Sequence, residues 1–374
     1  MSFSSPSRLR ALMRKEALQI IRDPSSIAIA FLLPVVLLFI FGYGVSLDAR
    51  NIPVAVVVEE PSGLTASITA AFAQSPYFDP KTFHAVQEAE RALMEHKVKG
   101  IVWIRGNFAE EELSVGNAPI GVIVDGVDAN NARLIEGYVQ GVWANWLQQF
   151  AVSRGKSLDL PVAMEQRIWF NPEVRSRNFL VPGLIAVIMT LIGALLTAMV
   201  VAREWERGTM EALLVTPVTV REILLGKLIP YFVLGIGGMA LSVAMAVWLF
   251  EVPLRGSLAA LFGASALFLI VALGMGLLIS TAAKDQFVAG QVAIIATFLP
   301  AFILSGFIFD IGSMPAPIQG VTHVIAARYF VAILQTLFLA GNVRSLIAIN
   351  SLALLIMSMV FLALVRWRTR KRLE

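Results

Sequence analysis

Cysteine is absent from the 374 residues. That excludes disulfides, cysteine-ligated zinc and thiol nucleophiles. Histidine is almost absent: His84, His96 and His323 are too scattered for a metal cluster, and each reads as a plain surface residue. Charge is scarce at 15% of residues, and it is missing altogether from Ile27–Leu47, Phe179–Val201, Ile229–Phe250, Ser257–Ser280, Phe287–Phe309 and Leu346–Val365. A proton relay is therefore not expected through those stretches, because it needs an ionisable group inside the bilayer. Nor is there a phosphate-binding loop, whose glycine amides cradle phosphates in the pattern Gly-x-x-x-x-Gly-Lys-Ser/Thr. Gly155-Lys156 has Phe150 where the first glycine belongs, and Gly226-Lys227 has Arg221 there and Leu228 after the lysine. Energy for any transport must then enter from outside this polypeptide.

What the chain does have is length and hydrophobicity. Apolar residues make up 57%, mean hydropathy is +0.75, and each of the six stretches suffices for a bilayer that needs about 20 apolar residues per helix. The fold class read from this is an α-helical polytopic membrane protein with six transmembrane helices. A small extracytoplasmic α/β domain is expected between the first and second. The first stretch is longer than the core of a cleaved signal peptide and reads as a retained helix, residues 27–47.

Orientation follows the excess of Lys and Arg on cytoplasmic segments. Residues 1–26, 202–228, the turn at Lys284 and the tail after Val365 together carry 15 Lys and Arg against 8 Asp and Glu. The insert 48–178 carries 12 against 16. Both termini are expected in the cytoplasm and the insert outside. Within the insert, Ile52–Val58, Lys81–Val86, Gly100–Ile104 and Ile120–Val124 read as strands. Leu64–Gln74, Gln87–Lys97 and a segment from a cap at Asp128 to about Ser153 read as helices, and Gln166–Phe170 leads back to the membrane. Asp125 and Asp128 flank a turn, whose own chemistry accounts for them more simply than a cation site does.

Three further segments stand out. Residues 1–26 hold an amphipathic helix that stops at Asp23-Pro24 and lies along the inner membrane surface. Glu16 falls inside its apolar arc, either paired along its own helix or meeting a protein partner. The coupling loop 202–222 interleaves Arg203, Glu204, Glu206, Arg207, Gly208, Thr209 and Glu211, a density of mixed charge that suits docking more than a solvated connector. Residues 310–341 contain Met314-Pro315-Ala316-Pro317, which forbids a regular helix, and then an apolar segment shorter than a span. That segment starts with Arg328, Tyr329 and Phe330 and reads as a re-entrant pair of outer helices or an amphipathic loop on the membrane. No nucleophile–base pair and no buried charge is expected in any span.

At these motifs the chain resembles the membrane subunits of ABC-2-type transporters, over essentially its whole length. The resemblance rests on Lys15-Glu16 with Arg22-Asp23-Pro24, on Arg203–Thr219, on Phe298-Leu299-Pro300 with Leu304-Ser305-Gly306-Phe307, and on Arg328-Tyr329-Phe330-Val331 with Leu339-Ala340-Gly341. Gln335 stands where the pattern leads one to expect a basic residue, and Asp310 where it leads one to expect proline. The resemblance implies a multi-pass export permease of the bacterial plasma (inner) membrane. It implies a separate cytoplasmic ABC ATPase that carries ATP and Mg, docking on Glu16 and the 202–222 loop, so this chain itself holds no cofactor and is no enzyme. It also implies a second permease chain, identical or related. A periplasmic adaptor is a further candidate partner, alongside membrane lipid; nucleic acid is not. Pathway and gate residues are expected at Thr190, Thr197, Phe298, Pro300, Ser305 and Gly306, with Thr297 and Asn350 as further polar relief and with bends at Pro300 and Gly306. The cargo would be hydrophobic or amphipathic. Two rival classes are a membrane-anchored sensor whose outer domain binds a ligand, and a flippase or intramembrane enzyme acting alone.

Overall fold

The computed structural model describes residues 6–44, 51–109, 120–125, 129–153, 170–171, 175–209, 215–216, 218–283 and 285–368. The chain divides into two units, one of Met1–Ser46 with Ile168–Glu374 and the other of Leu47–Arg167.

The described residues of the first unit form helices and the turns that join them. Helix α1 (Pro6–Ile21) is followed by α2 (Pro24–Gly44), with Asp23 as N-cap accepting from the Ser25 amide and Pro24 at the first position. Proline suits that position because its missing N–H would be unpaired there anyway. The other long apolar helices of this unit are α6 (Ser176–Glu206), α7 (Val220–Leu249), α8 (Leu258–Ala282), α9 (Gln286–Leu304) and α12 (Arg344–Arg368). With α2 they make six helices long and apolar enough to cross a membrane among the described residues. Between α9 and α12 lie α10 (Ala316–Thr322) and α11 (Ala326–Ala340), bent by 84° at their break.

Burial ranks these helices. In α6, 83% of the apolar window is covered by the rest of the chain, against 11% in α12, so α6 is the axis of the bundle. It packs most closely on α8, where Gly276 leaves room for the Ala194 carbonyl and the Thr197 hydroxyl; small residues at such crossings let backbones approach. Helix α11 turns one apolar face inward, with Phe330 fully buried and stacked on Phe268 at 4.2 Å.

Two expectations about the spans need correction. The helices outrun the uncharged stretches: α6 continues to Glu206 and α7 begins at Val220, so Arg203, Glu204, Glu222 and Lys227 are helical and buried. Charge is therefore buried in helices that also span, at their ends, where pairing offsets the loss of hydration. The fifth helix is shorter than its apolar stretch. It stops at Leu304, and Gly306 lies beyond it at φ +84°, a left-handed conformation that ends a helix and does not bend one. A π-helical turn, Ile294–Phe298, sits directly before Pro300, and such turns are themselves points of irregularity.

The second unit holds a four-stranded sheet in the order β2-β1-β3-β4, made from β1 (Ile52–Val58), β2 (Phe78–Phe83), β3 (Gly100–Ile104) and β4 (Ile120–Val124). The first three strands are parallel and β4 is antiparallel to β3. Helices α3 (Gly63–Gln74), α4 (Val86–Met94) and α5 (Ala129–Ser153) complete it. Residues Val54 and Val56 face a core with Phe72, Phe78 and Trp146, while Ala55 and Val57 face Ala89 and Ile101. Strand β2 begins earlier than its sequence pattern implies, because Ile52 pairs with Phe78. Asp125 lies 3.5 Å from His96; Asp128 and residues 166–169 lie outside the described residues.

Candidate functional site: a charged junction of helix ends

The sequence-derived candidates converge on the ends of α1, α6, α7 and α9. Helix α1 places its apolar side on α7, where Gly226 permits the approach: a Cβ added there would stand 2.8 Å from the Leu12 Cβ. Helix α7 is started by a capping box, in which the Thr219 amide donates to Glu222 Oε2 at 2.7 Å and the Glu222 amide to Thr219 Oγ1 at 3.3 Å. This cap points Lys227, two turns in, at α1 and α6.

The C-terminal end of α6 is the hub. On one side, Arg203 Nη1 binds Asp23 Oδ2 at 2.9 Å and Arg203 Nε donates to Gln286 Oε1 at 3.3 Å. The Gln286 amide in turn donates to Glu206 Oε2 at 3.3 Å. On the other side, Glu204 Oε1 accepts from Lys15 at 2.6 Å and from Lys227 at 2.9 Å. Glu16 Oε1 accepts from Lys227 at 3.1 Å and from Lys15 at 3.2 Å. Gly208, at φ +67°, closes the helix in the left-handed conformation that favours glycine, and Thr209 Oγ1 donates to the Glu204 carbonyl at 3.3 Å.

Electrostatics at the rim follow from this geometry. Burial alone would raise the Asp23 carboxyl, but hydrogen bonds from Ser25, Ser26 and Arg203, with the Arg203 charge, hold its pKa at about 2. Burial works against the Lys15 ammonium, yet its hydrogen bond to Glu204 and the charges of Glu16 and Glu204 outweigh that and hold its pKa above the ordinary lysine value. Glu204 Oε2 is buried and has no hydrogen-bond partner among the described residues. Beside it is a cavity of about 350 Å³ lined by Lys15, Gln19, Glu204, Arg207, Thr209 and Thr216.

The candidates thus separate into two groups. Glu16, Arg203 and Glu204 are 3%, 6% and 3% exposed, so they bind within the chain. For Glu16 the pairing along its own helix is present, to Lys15 at 3.2 Å, but its most deeply buried partner is Lys227, 211 residues away on another helix. Glu206, Arg207, Gly208 and Thr209 are exposed, and Glu211 lies outside the described residues. Lys227 is a functional residue that the phosphate-loop pattern around Gly226-Lys227 does not reveal. Its signal was a lone lysine between Leu224-Leu225 and Leu228-Ile229. Asp23 and Gln286 were likewise not singled out as site residues.

The expected pathway residues do not form one surface. Thr190 and Thr297 share a largely apolar cavity of about 260 Å³ with Met275, Ala301 and Phe361. Thr197 instead donates to the Gly193 carbonyl at 2.8 Å and the Leu273 carbonyl at 3.0 Å, inside the α6–α8 contact. Phe298 stacks near Phe302 at 5.8 Å, Pro300 lies in the helix after the π turn, and the buried Ser305 hydroxyl accepts from the Phe307 amide. Asn350 donates to the Leu346 carbonyl of its own helix. Arg328 and Tyr329 brace the α10–α11 break: Arg328 donates to Thr322 Oγ1, and the Tyr329 hydroxyl donates to the His323 carbonyl at 2.9 Å. Phe330 is a core residue. Among the described residues no cluster of His, Asp and Glu is arranged to hold a metal ion.

The chain matches the family described as ABC-2 family transporter protein over residues 24–367. It is 48% identical to the probable multidrug ABC transporter permease YbhS of Escherichia coli K12, covering 98% of both chains. It is 28% identical to the probable multidrug ABC transporter permease YbhR of the same organism, over 89% of this chain and 90% of that one. The linearmycin resistance permease protein LnrN of Bacillus subtilis is 22% identical over 95% and 98%. With its membrane-crossing helices and a match along nearly all its length, this chain belongs to the ABC-2 family of transporter permeases.

Proposed function

We propose that this chain is the permease half of an exporter that moves a hydrophobic or amphipathic cargo out of the cytoplasm or the inner leaflet. A separate ABC ATPase supplies the work, with ATP and Mg bound on that partner. The observation that carries this reading is the charged junction, where the end of α6 is tied to α1, α2, α7 and α9 through Glu204, Arg203 and Gln286. A push on the exposed Glu206–Thr209 turn would reach all of these helices. Supporting it are the relatives named as multidrug permeases and the excess of Lys and Arg on the segments that include the junction.

In this reading both termini and the 202–222 loop are cytoplasmic and residues 48–178 lie on the outer side. A second permease chain completes the pore, and the membrane is the bacterial inner membrane. The ATPase docks on the cavity beside Lys15, Gln19, Arg207 and Thr209, where Glu204 Oε2 has no donor among the described residues. The test is affinity purification of the tagged chain from its own cell in mild detergent. An ABC ATPase is expected to be retained, and Arg207→Glu on the exposed rim is expected to release it. Recovery of the chain without an ATPase would overturn the reading.

A further inference from the structure

Four charged side chains of the junction form a closed ring of alternating sign. Lys15 donates to Glu16 Oε1, which also accepts from Lys227. Lys227 donates to Glu204 Oε1, which accepts again from Lys15, and the four contacts span 2.6 to 3.2 Å. The side chains of Glu16, Glu204 and Lys227 are at most 5% exposed, and only that of Lys15, at 47%, reaches solvent. The ring joins α1, α6 and α7 through contacts 189 and 211 residues apart in the chain.

Buried ions are a poor way to gain stability, since an apolar cluster of the same volume holds helices as well or better. What an alternating ring adds is register. Two ammonium groups and two carboxylates meet only at one rotation and one axial setting of the three helices, much as a single buried polar residue fixes the register of a coiled coil. Gly226 sharpens this setting by letting Leu12 approach the α7 backbone at one point.

We propose that Lys15, Glu16, Glu204 and Lys227 form a rigid joint, with Lys227 as its buried positioning residue, so that α1, the end of α6 and the start of α7 move as one body. Force applied to α1 or to the turn after α6 then reaches two long helices together instead of being lost in sliding between them. The source of that force rests on the ATPase-docking reading above; the joint itself does not. The alternating order has a consequence that separate ion pairs lack. Exchanging Glu16→Lys with Lys227→Glu would rescue an isolated pair. In the ring it sets two cations side by side at positions 15 and 16, and two carboxylates side by side at positions 204 and 227.

The absence of cysteine makes the test clean. Arg14→Cys on α1 and Val233→Cys on α7, both exposed positions, are spin-labelled in nanodiscs. Their distance distribution is measured with the ATPase bound, nucleotide-free and trapped with ADP and vanadate. The native joint is expected to give one narrow distribution, unchanged by trapping. Lys227→Met is expected to broaden or split it, Lys227→Arg to keep it narrow, and the Glu16→Lys with Lys227→Glu exchange to leave it broad. A shift of the native distance on trapping, a narrow distribution in Lys227→Met, or full recovery in the exchange variant would each overturn the proposal. Should Lys227→Met not insert, Glu204→Gln is read the same way. Should no ATPase be retained, the docking reading fails, while the nucleotide-free comparison of native chain and variant still decides the joint.

Discussion

Arg203 and Glu204 are neighbours in the chain yet serve different sides of one helix end. Arg203 holds Asp23 at 2.9 Å, and Glu204 holds Lys227 at the same distance. Consecutive helical residues project about 100° apart, so this single step in sequence ties the second long helix to the first through one residue and to the third through the other.

Truncating Lys227 strands two buried carboxylates, since Glu16 and Glu204 would each lose one of two ammonium partners. Removing one member of a buried ionic group costs about 3 to 5 kcal/mol, so Lys227→Met should lower the thermal unfolding midpoint in detergent sharply. Lys15→Met leaves the same two carboxylates one partner short, but at a half-exposed position that water can reach, so its midpoint should fall less. The ordering of the two midpoints checks this account.

Asp23 has a folded pKa of about 2, below the unfolded value of about 3.9. A carboxyl depressed on folding stabilises the native state above its unfolded pKa, and the effect fades as pH falls through its folded pKa. Unfolding followed from pH 7 downward should therefore show a loss that begins near the unfolded pKa and continues through pH 2, and that is missing in Asp23→Asn. For Lys15 the sign reverses. Its raised pKa gives a contribution present below the ordinary lysine value and lost as pH rises through the folded value, a dependence absent from Lys15→Met.

Gly226 and Leu12 should behave as one contact. Gly226→Ala puts a methyl against the Leu12 Cβ, and overpacking of this kind costs about 1 to 3 kcal/mol. Gly226→Ala combined with Leu12→Gly should recover part of that loss, because the atom met is removed. A thermal-melt double-mutant cycle measures the coupling.

Residues 47–167 should fold when expressed alone. The sheet carries hydrophobic clusters on both faces, and Trp146 reinforces one by donating to Ser67 Oγ at 2.9 Å. Dispersed amide signals and a cooperative melt are expected, with Trp146→Phe lowering the stability by about 1 kcal/mol through loss of the hydrogen bond.

Sidedness is checked on the cysteine-free background. Met94→Cys, on an exposed face of α4, should react in intact cells with a membrane-impermeant maleimide. Arg207→Cys should react only after permeabilisation.

Much of this protein was legible along the chain. Uncharged runs of bilayer length announce helices, since buried backbone in lipid must bond to itself, and Gly100–Ile104 and Ile120–Val124 matched their strands to the residue. Helix ends were less legible. Apolar content continues past Leu304, but Gly306 adopts a left-handed φ and the helix stops. Likewise, charge begins at Arg203 while the helix runs on to Glu206, because pairing lets it.

Linear order thus governed composition, span count and the absence of a phosphate loop, all properties of local periodicity. Which lysine meets which glutamate was set by packing: Lys227 lies 211 positions from Glu16, and nothing in either neighbourhood encodes the other. Long-range ion pairs depend on where helix ends meet in space, and a distance of 3 Å between buried charges is a property of three helices at once.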